Sequence, residues 1–508
     1  MTEIAGAIFA VPPFPGAKPH PLVRPMGPAS EAEGAPVDAA QLIAAMRQAR
    51  VGGAFWRSDD IWSSKDEVIE GSGDDPRLLL AAMAGKLAHS RSPGLFSALY
   101  GLLPGSPQAE AVIEDLVERH LLRGVAYADP FTGAATSPLP LVETLAGWRA
   151  LIDANRPITA AFGFANWKRD TVDPLLWGGA PVPFRTASDS ALKALPKDAV
   201  IAIWKARVPP VFLAQVEAGP WRVWEVEDGF IRSAGLGADC VPPLSIIVDE
   251  IGVHYDPHCP SRLETMLAAD TVPAADLARA ARLREWLVRE GVSKYGVGAG
   301  AALPRAGGDR RHILVVGQVE DDRSILFGGG DVRSNLELLR RVRAAHPNAW
   351  IVYRPHPDVE AGHRRGAIPA RTALQFADQI AAGSPISALI AMVDEVQVIS
   401  SLTGFEALLH GKKVTTHGMP FFAGWGLTHD IAPISSRRGR KLTLDELVAT
   451  VLLRCPRYLD PLTNLPCTAE ILIMRLLSGV QRENIALVPL RRLVGWAKRA
   501  AAQFVGNR

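Results

Sequence analysis

An apolar run, WEVED (224–228), delivers Glu227 and Asp228 to a glycine. Carboxylates at a strand exit are natural candidates for a general base or a nucleophile; the same Asp-Gly pair also makes an ordinary solvated turn. Arg232 and Ser233 follow within five residues. A second stretch, WIVYRPHPD (350–358), passes straight from a buried-strand pattern into Arg354, Pro355, His356 and Pro357. Proline fixes φ and cannot extend a sheet ladder. The two prolines therefore hold Arg354 and His356 in a set direction at the edge where open α/β sheets bind ligands. A plain strand-terminating turn is the competing reading. In a third stretch, VQVISSLTGFEALLHGKKV (396–414), Ser400, Ser401, Thr403 and Gly404 open an expected helix that carries Glu406 one turn in. Free N–H groups and a partial positive charge at such a start favour a phosphate, with Glu406 in reach of a ribose hydroxyl. Simple capping explains one hydroxyl and leaves the second serine and the glycine to the nucleotide reading.

The remaining polar stretches are weaker. VVGQVEDDRS (315–324) again runs a strand into acids, but Glu320, Asp321 and Asp322 have no second ligand cluster, so no metal is expected. His254, His258 and His363 read as surface or core fillers. GMPFFAGWGLTHD (418–430) suits either a pocket wall or a packed loop.

The elements that must position these residues alternate from about residue 157. Short apolar runs (ITAAFGF, AVIAIW, WRVWEVED, LSIIVD, HILVVGQ, WIVYRPHP, EVQVISS, KKVTTHG) are separated by helical segments. That alternation predicts parallel sheets with helices on both faces. The Gly- and Pro-rich stretch at 297–311 marks a break between two such units. The expected class is α/β and GT-B-like: two Rossmann-like domains facing a cleft, with a helical N-terminal extension. The expected boundaries are a disordered segment over 1–37, a helical region over 38–150, and Rossmann-like halves over 155–300 (acceptor and catalytic) and 310–480 (nucleotide-sugar binding). A basic amphipathic tail over 485–508 closes the chain.

Composition bounds the function. With 508 residues, 48% hydrophobic and 21% charged, the chain can fill several cores. A net charge of +2 gives no case for nucleic acid. Four scattered cysteines show neither CxxC nor zinc spacing, which fits a reduced cytoplasmic protein. There is no secretory signal pattern, and no apolar run reaches the ~18 residues of a spanning helix. The expectation is a soluble or peripheral protein. The last 19 residues, LRRLVGWAKRAAAQFVGNR, place apolar residues near helical spacing with five cations and no acid, suiting an anionic leaflet or a packed helix with a solvated basic face.

The sequence also echoes itself. VIEDLVERHLLRGVAYADPFTG (112–133) aligns without gaps on TLDELVATVLLRCPRYLDPLTN (443–464), sharing Leu-Val, Leu-Leu-Arg, Tyr, Asp-Pro and Thr. Residues 38–133 therefore read as a degenerate earlier copy of the later module; any amphipathic helix ending in an Asp-Pro turn is the alternative.

Together GFANWKRD (163–170), VEDGFIRSAGLG, PPLSIIVDEIGVHYD (242–256), PSRLETML, VSKYGVGAG, VGQVEDDRSI, YRPHPDV, SSLTGFEALLHGKKVTTHGMPFFAGWGLT and KLTLDELVA resemble the bacterial capsule β-Kdo transferases of the KpsC and KpsS families. The likeness is to the KpsC-type module and runs over about 155–465. It implies a retaining GT-B enzyme that moves Kdo, a 3-deoxy octulosonic acid, from CMP-Kdo to a Kdo-primed phosphatidylglycerol-type acceptor at the cytoplasmic face of the inner membrane. It further implies Asp228 as nucleophile or base with Glu227 beside it, and His356 at the donor phosphate. The donor site would comprise Arg354, Pro357, Ser400, Ser401, Thr403, Gly404, Glu406 and Gln318. Lys205, Lys168 and Arg232 would balance donor charge, and no metal or cofactor is called for. The family's two-module members differ from this chain, which has one complete module, so a second Kdo transferase or a capsule export complex is an expected partner. A transferase for another CMP-sugar such as sialic acid, a nucleotide-sugar epimerase and a capsule-assembly scaffold are the rival readings.

Overall fold

Strands form at every apolar run named above, because Val, Ile and aromatic residues fit a pleated, half-buried surface. The computed structural model describes residues 2–25, 37–233, 241–269, 271–294, 296, 304–362 and 364–480. The expected basic tail and the 297–303 part of the expected linker lie outside them. The chain divides into two compact units: one of Met1–Ile158, Asp173–Pro183 and Leu459–Cys467, the other of Thr159–Val172, Phe184–Tyr458 and Thr468–Arg508.

In the first unit the elements are α1 (Thr2–Ile8), β1 (Val23–Pro25), α2 (Ala39–Ala49), β2 (Val68–Gly71), α3 (Pro76–Met83), β3 (Leu87–Ser90), α4 (Pro107–Val117), β4 (Val125–Ala128) and α5 (Pro138–Asn155). β1 pairs antiparallel with β4, and β2 pairs parallel with β3. Two expectations are corrected. The N-terminal segment is ordered over 2–25, because Ile8, Phe9 and Phe14 are buried and Phe14 stacks edge-on against Trp148 and Trp177. A high Pro and Gly content masks those anchors. The region over 38–150 is also not purely helical; β2 and β3 are four residues each and half-exposed, too short to show a period.

The second unit contains β5 (Ile158–Phe162), β6 (Phe184–Arg185), β7 (Val200–Ile203), β8 (Arg222–Asp228), β9 (Ser245–Asp249), α6 (Ala274–Glu290), β10 (His312–Val316), β11 (Trp350–Arg354), β12 (Gln379–Ile380), β13 (Glu395–Val398), α7 (Thr403–Leu409), β14 (Lys413–Thr416), β15 (His429–Asp430), α8 (Leu444–Val448), β16 (Arg457–Leu459) and α9 (Ala469–Leu477). One sheet runs β16-β9-β8-β7-β5-β6 and the other β12-β11-β10-β13-β14-β15 with a start at β12 and every pair parallel. The first sheet departs from the expected all-parallel pattern. β9 runs antiparallel to β8 because the chain returns along the same edge, with Gly229 N–H bonded to the Ser245 carbonyl and Leu244 N–H to that of Arg232. Separate apolar cores support the two sheets, one around Ile313, Val315, Leu338 and Ile351, the other around Phe162, Ile201, Ile203 and Phe212.

After β16 the chain turns on Asp460, which is fully buried and accepts from Leu462 N, Thr463 N and Thr463 Oγ1 at 3.2, 3.3 and 2.7 Å. Asp460→Ala strands those donors, each worth about 1–3 kcal/mol when left unpaired. The expected result is a loss of about 3 kcal/mol in urea unfolding, with Asp460→Asn losing less.

Candidate functional site

Glu225, Glu227 and Asp228 lie at the end of β8. Side chains alternate along a strand, so Glu225 and Glu227 share one face and Asp228 takes the other. Arg232, fully buried, donates through Nε to Asp228 Oδ2 at 2.9 Å. Its remaining nitrogens are fixed by Ser233 Oγ and the Val241 carbonyl, both at 2.8 Å. Lys168 Nζ lies 3.5 Å from Asp228 Oδ1 and 3.2 Å from the Trp204 ring centroid. Burial alone would push the Asp228 pKa up. The Arg232, Lys168 and Lys294 charges, with the Arg232 hydrogen bond, overcome it and hold the carboxyl well below the usual range. Its Oδ1 is buried, has no hydrogen-bond partner and is held only by the Lys168 charge at 3.5 Å.

Glu227 behaves in the opposite way. Burial, then the negative charge of Asp228, raises its pKa far above the ordinary Glu value against the pull of Lys168. The Tyr255 hydroxyl sits between Glu225 and Glu227, donating at 2.8 and 3.4 Å. Two neighbouring carboxyls are thus driven apart, one ionised and one protonated near neutrality. This is the usual signature of divided acid–base roles.

These groups line a cleft of about 1080 Å³ in the second unit, shared with the strand ends of the other sheet: Gln318 after β10, Arg354 and His356 after β11, and Ser400 and Ser401 after β13. That volume exceeds a typical small-ligand pocket and suits two substrates. His356 Nδ1 accepts from the Asp358 N–H at 3.1 Å, so the proton of the neutral ring belongs on Nε2. Burial, then Lys294, lowers its pKa to about 4, making it a neutral donor rather than a cation.

Several residues expected at the donor site line the cleft and also hold one another or the backbone. Gln318 and Ser400 bind each other, with Ser400 N–H to Gln318 Oε1 at 2.9 Å and Gln318 Nε2 to Ser400 Oγ at 3.2 Å, and so tie β10 to β13. Ser401 Oγ accepts from Thr403 N–H at 3.3 Å as a local cap. Gly404 is required for packing, since a Cβ there would lie 2.6 Å from Phe422 Cζ. Glu406 lines the cleft and accepts from the Lys294 backbone N–H at 3.0 Å. Arg354 is spent on Glu360 and on the Ser384 and Pro355 carbonyls. Lys205 pairs with Glu225 at 3.0 Å and Glu217 at 3.7 Å. Pro357 opens the short helix after His356. Pro420 and Phe421 wall the cleft, whereas Phe422 and Trp425 are core.

Sequence reasoning missed Lys294, Arg323, Glu225 and Tyr255. Lys294 lines the cleft, and its charge acts on Asp228, His254 and His356 alike. Arg323 also lines it, stacked 5.1 Å from the Phe327 centroid, with no hydrogen-bond partner at Nε. Only the i, i+2 spacing of Glu225 and Glu227 could have signalled the former. No group of three or more His, Cys, Asp or Glu that could hold a metal exists among the described residues, and Glu320, Asp321 and Asp322 serve separate loops.

A deep polar cleft at the strand ends of two sheets, with one fixed carboxylate, defines an α/β protein with a candidate ligand site. The family profile described as capsule polysaccharide biosynthesis protein matches residues 213–458. The chain is 39% identical over 368 residues to the capsule polysaccharide modification protein LipA of Neisseria meningitidis serogroup B, covering 71% of this chain and 51% of LipA. It is 45% identical over 239 residues to the lipopolysaccharide-processing protein LpsZ of Rhizobium meliloti, covering 46% and 54%. It thus spans about half the length of these curated relatives. Among solved structures it is similar to the beta Kdo 2,7 transferase of Thermosulfurimonas dismutans KpsC at 36% identity and TM-score 0.52, covering 63% of this chain and 99% of that one. The beta Kdo 2,4 transferase of the same KpsC matches at 28% identity and TM-score 0.53, covering 63% and 98%. The chain belongs to the KpsC-like capsule polysaccharide biosynthesis family.

A carboxyl whose folded pKa is raised stabilises the fold at low pH and ceases to as pH climbs through that pKa. Glu227→Gln should therefore gain stability relative to wild type from about pH 5 to pH 9, by at least ~1 kcal/mol at the upper end. His356 and His417, both lowered to about 4 with burial the main cause, act at the other end. They contribute stability above pH ~6.5 that is lost as pH falls toward 4. Urea midpoints measured across this range check both signs.

Proposed function

We propose that this protein is a retaining β-Kdo glycosyltransferase of GT-B architecture, moving Kdo from CMP-Kdo to a lipid-linked, Kdo-primed acceptor in capsule biosynthesis. The observation that carries the reading is the ionised carboxylate of Asp228 lining the cleft of a chain similar to two Kdo transferases. Retention of configuration by two displacements needs a carboxylate nucleophile and a second carboxyl acting first as acid and then as base.

In the first step a carboxylate oxygen of Asp228 bonds to the anomeric carbon of Kdo while the bond from that carbon to the phosphate oxygen breaks. CMP leaves with the electron pair, and the Glu227 proton passes to its phosphate. In the second step the acceptor hydroxyl attacks the anomeric carbon, the Asp228 ester bond breaks, and Glu227 takes the hydroxyl proton. The His356 Nε2–H donates to the leaving phosphate, a stabilisation that needs no positive charge on the ring. Lys294 and Arg323 supply the cations for phosphate and the Kdo carboxylate. The acceptor being lipid-linked, the protein works at the cytoplasmic face of the inner membrane. Attachment there would be peripheral; no helix among the described residues is long and apolar enough to cross a membrane.

Purified protein incubated with CMP-Kdo and a fluorescent Kdo-primed lipid analogue should add Kdo, read by mass spectrometry, with the β anomer seen by NMR. Asp228→Ala should fall at least 10³-fold. Glu227→Gln should accumulate a mass shift of one Kdo on the chain, mapped to Asp228. Transfer surviving in Asp228→Ala would overturn the nucleophile; transfer from CMP-sialic acid but not from CMP-Kdo would overturn the donor.

His356→Gln keeps an N–H donor and His356→Ala does not. The glutamine variant should retain within about tenfold of wild-type kcat, and the alanine variant should lose about 10²-fold, the usual cost of one such donor.

A further inference from the structure

The sequence echo at 112–133 is the visible end of a longer structural repeat. β2-α3-β3 in the first unit reproduces β13-α7-β14 in the second. Both are parallel βαβ turns. Ala84, Gly85 and Lys86 N–H bond to the carbonyls of Leu80, Ala82 and Ala81; His410, Gly411 and Lys412 bond to those of Glu406, Leu408 and Ala407. Lys86 Nζ clamps two carbonyls, Ser64 and Asp66, at 2.7 and 2.8 Å; Lys412 Nζ clamps Ala391 and Val393 at 3.0 and 2.9 Å. Arg91 N–H returns to the Gly71 carbonyl as His417 N–H does to that of Val398.

The likeness continues to the C-terminal side. α4 and α8 each run into a π-helical turn, Glu118–Leu122 and Ala449–Arg454, which is a rare feature to find twice in register. Tyr127 and Tyr458 hydroxyls bond back to the Leu121 and Leu452 carbonyls. Asp129 caps Phe131 and Thr132 as Asp460 caps Leu462 and Thr463, and the turns end on Gly133 (φ 71°) and Asn464 (φ 56°). Even β1 stands in for β9, with Val23 opposite Tyr127 as Ser245 is opposite Tyr458.

What differs is the chemistry at the strand end. Asp75 caps Arg77 N–H where Ser401 caps Thr403 N–H, so a second carboxylate, beside Asp74, replaces a hydroxyl. Leu80 replaces Glu406 and Leu78 replaces Gly404. The crevice beyond the strand is filled by the chain itself. Phe96 N–H bonds the Gly73 carbonyl at 2.7 Å, Leu95 N–H bonds Asp74 Oδ1 at 2.9 Å, and Gly73 N–H bonds Ser92 Oγ at 3.1 Å. A Cβ on Gly73 would lie 2.4 Å from the Ser92 carbonyl oxygen. Among the described residues β2 and β3 pair only with each other.

Resting on the reading of the cleft proposed above, we propose that the β2-α3-β3 turn of the first unit is a collapsed copy of the nucleotide-binding β13-α7-β14 turn, acidic and self-sealed at its strand end, so that it takes no nucleotide and the cleft of the second unit is where CMP binds.

Calorimetric titration of CMP into the full chain tests the count. One equivalent per chain is expected for wild type, and none for Ser401→Asp, which places the first unit's acid in the working copy, nor for His356→Ala. Circular dichroism and the thermal midpoint confirm that these variants fold. Two equivalents in wild type, or one that persists in both variants, would overturn the collapsed-copy proposal and leave the transferase reading standing. No binding by wild type at all would overturn the reading of the cleft itself, and the site count with it.

Discussion

A carboxylate removed from water and kept charged is the constraint that organises the second unit. Asp228 can stay ionised only beside cations, and buried cations need holding in turn. Arg232 is gripped by Ser233 and the Val241 carbonyl, Lys168 lies against the Trp204 ring, and the Lys294 backbone hangs from Glu406. Each grip comes from a different part of the chain, so the ionisation of one oxygen depends on packing far from it in sequence. Burial, helped by the Lys294 charge that also depresses Asp228, keeps His356 neutral, and the negative charge of Asp228 helps burial keep Glu227 protonated.

The two sheets divide the work. The first delivers carboxyls into the cleft. The second spends much of its polar inventory on itself: Gln318 with Ser400, Arg354 with Glu360, and Asn335 with the Gln318 backbone. Those buried networks fix where β10, β11 and β13 end, and the ends then aim His356 and the neighbouring backbone at a ligand. A parallel sheet is buried on both faces and needs such satisfaction of its strand ends.

The repeat shows which part of this architecture is structural and which is chemical. The lysine clamp, the π-helical turn, the tyrosine bond and the Asp turn occur in both copies, because they hold backbone and need no ligand. The hydroxyl, the acid and the glycine of the working copy are absent from the other. A segment can thus keep its fold after its site closes, provided its own loop satisfies the strand-end N–H and C=O groups.

The sequence by itself determined the strands of the second unit, their alternation with helices, the family, and the place of Asp228, Glu227 and His356 at strand exits. Those follow from local periodicity, proline chemistry and short motifs, all written in neighbouring positions. It also showed the last third of the repeat, where identical residues remain. Only the tertiary structure decided which polar residues are spent and which are open. Arg354, Glu406, Lys205 and Ser400 line the cleft, and each also finds a protein partner 6 to 112 positions away. Lys294 and Arg323 look ordinary and face the cleft. The N-terminal segment, read as disordered from its Pro and Gly content, is anchored by Phe14 against Trp148 and Trp177. Partner choice for a buried polar group is settled by satisfaction over the whole fold, and no window of sequence contains it.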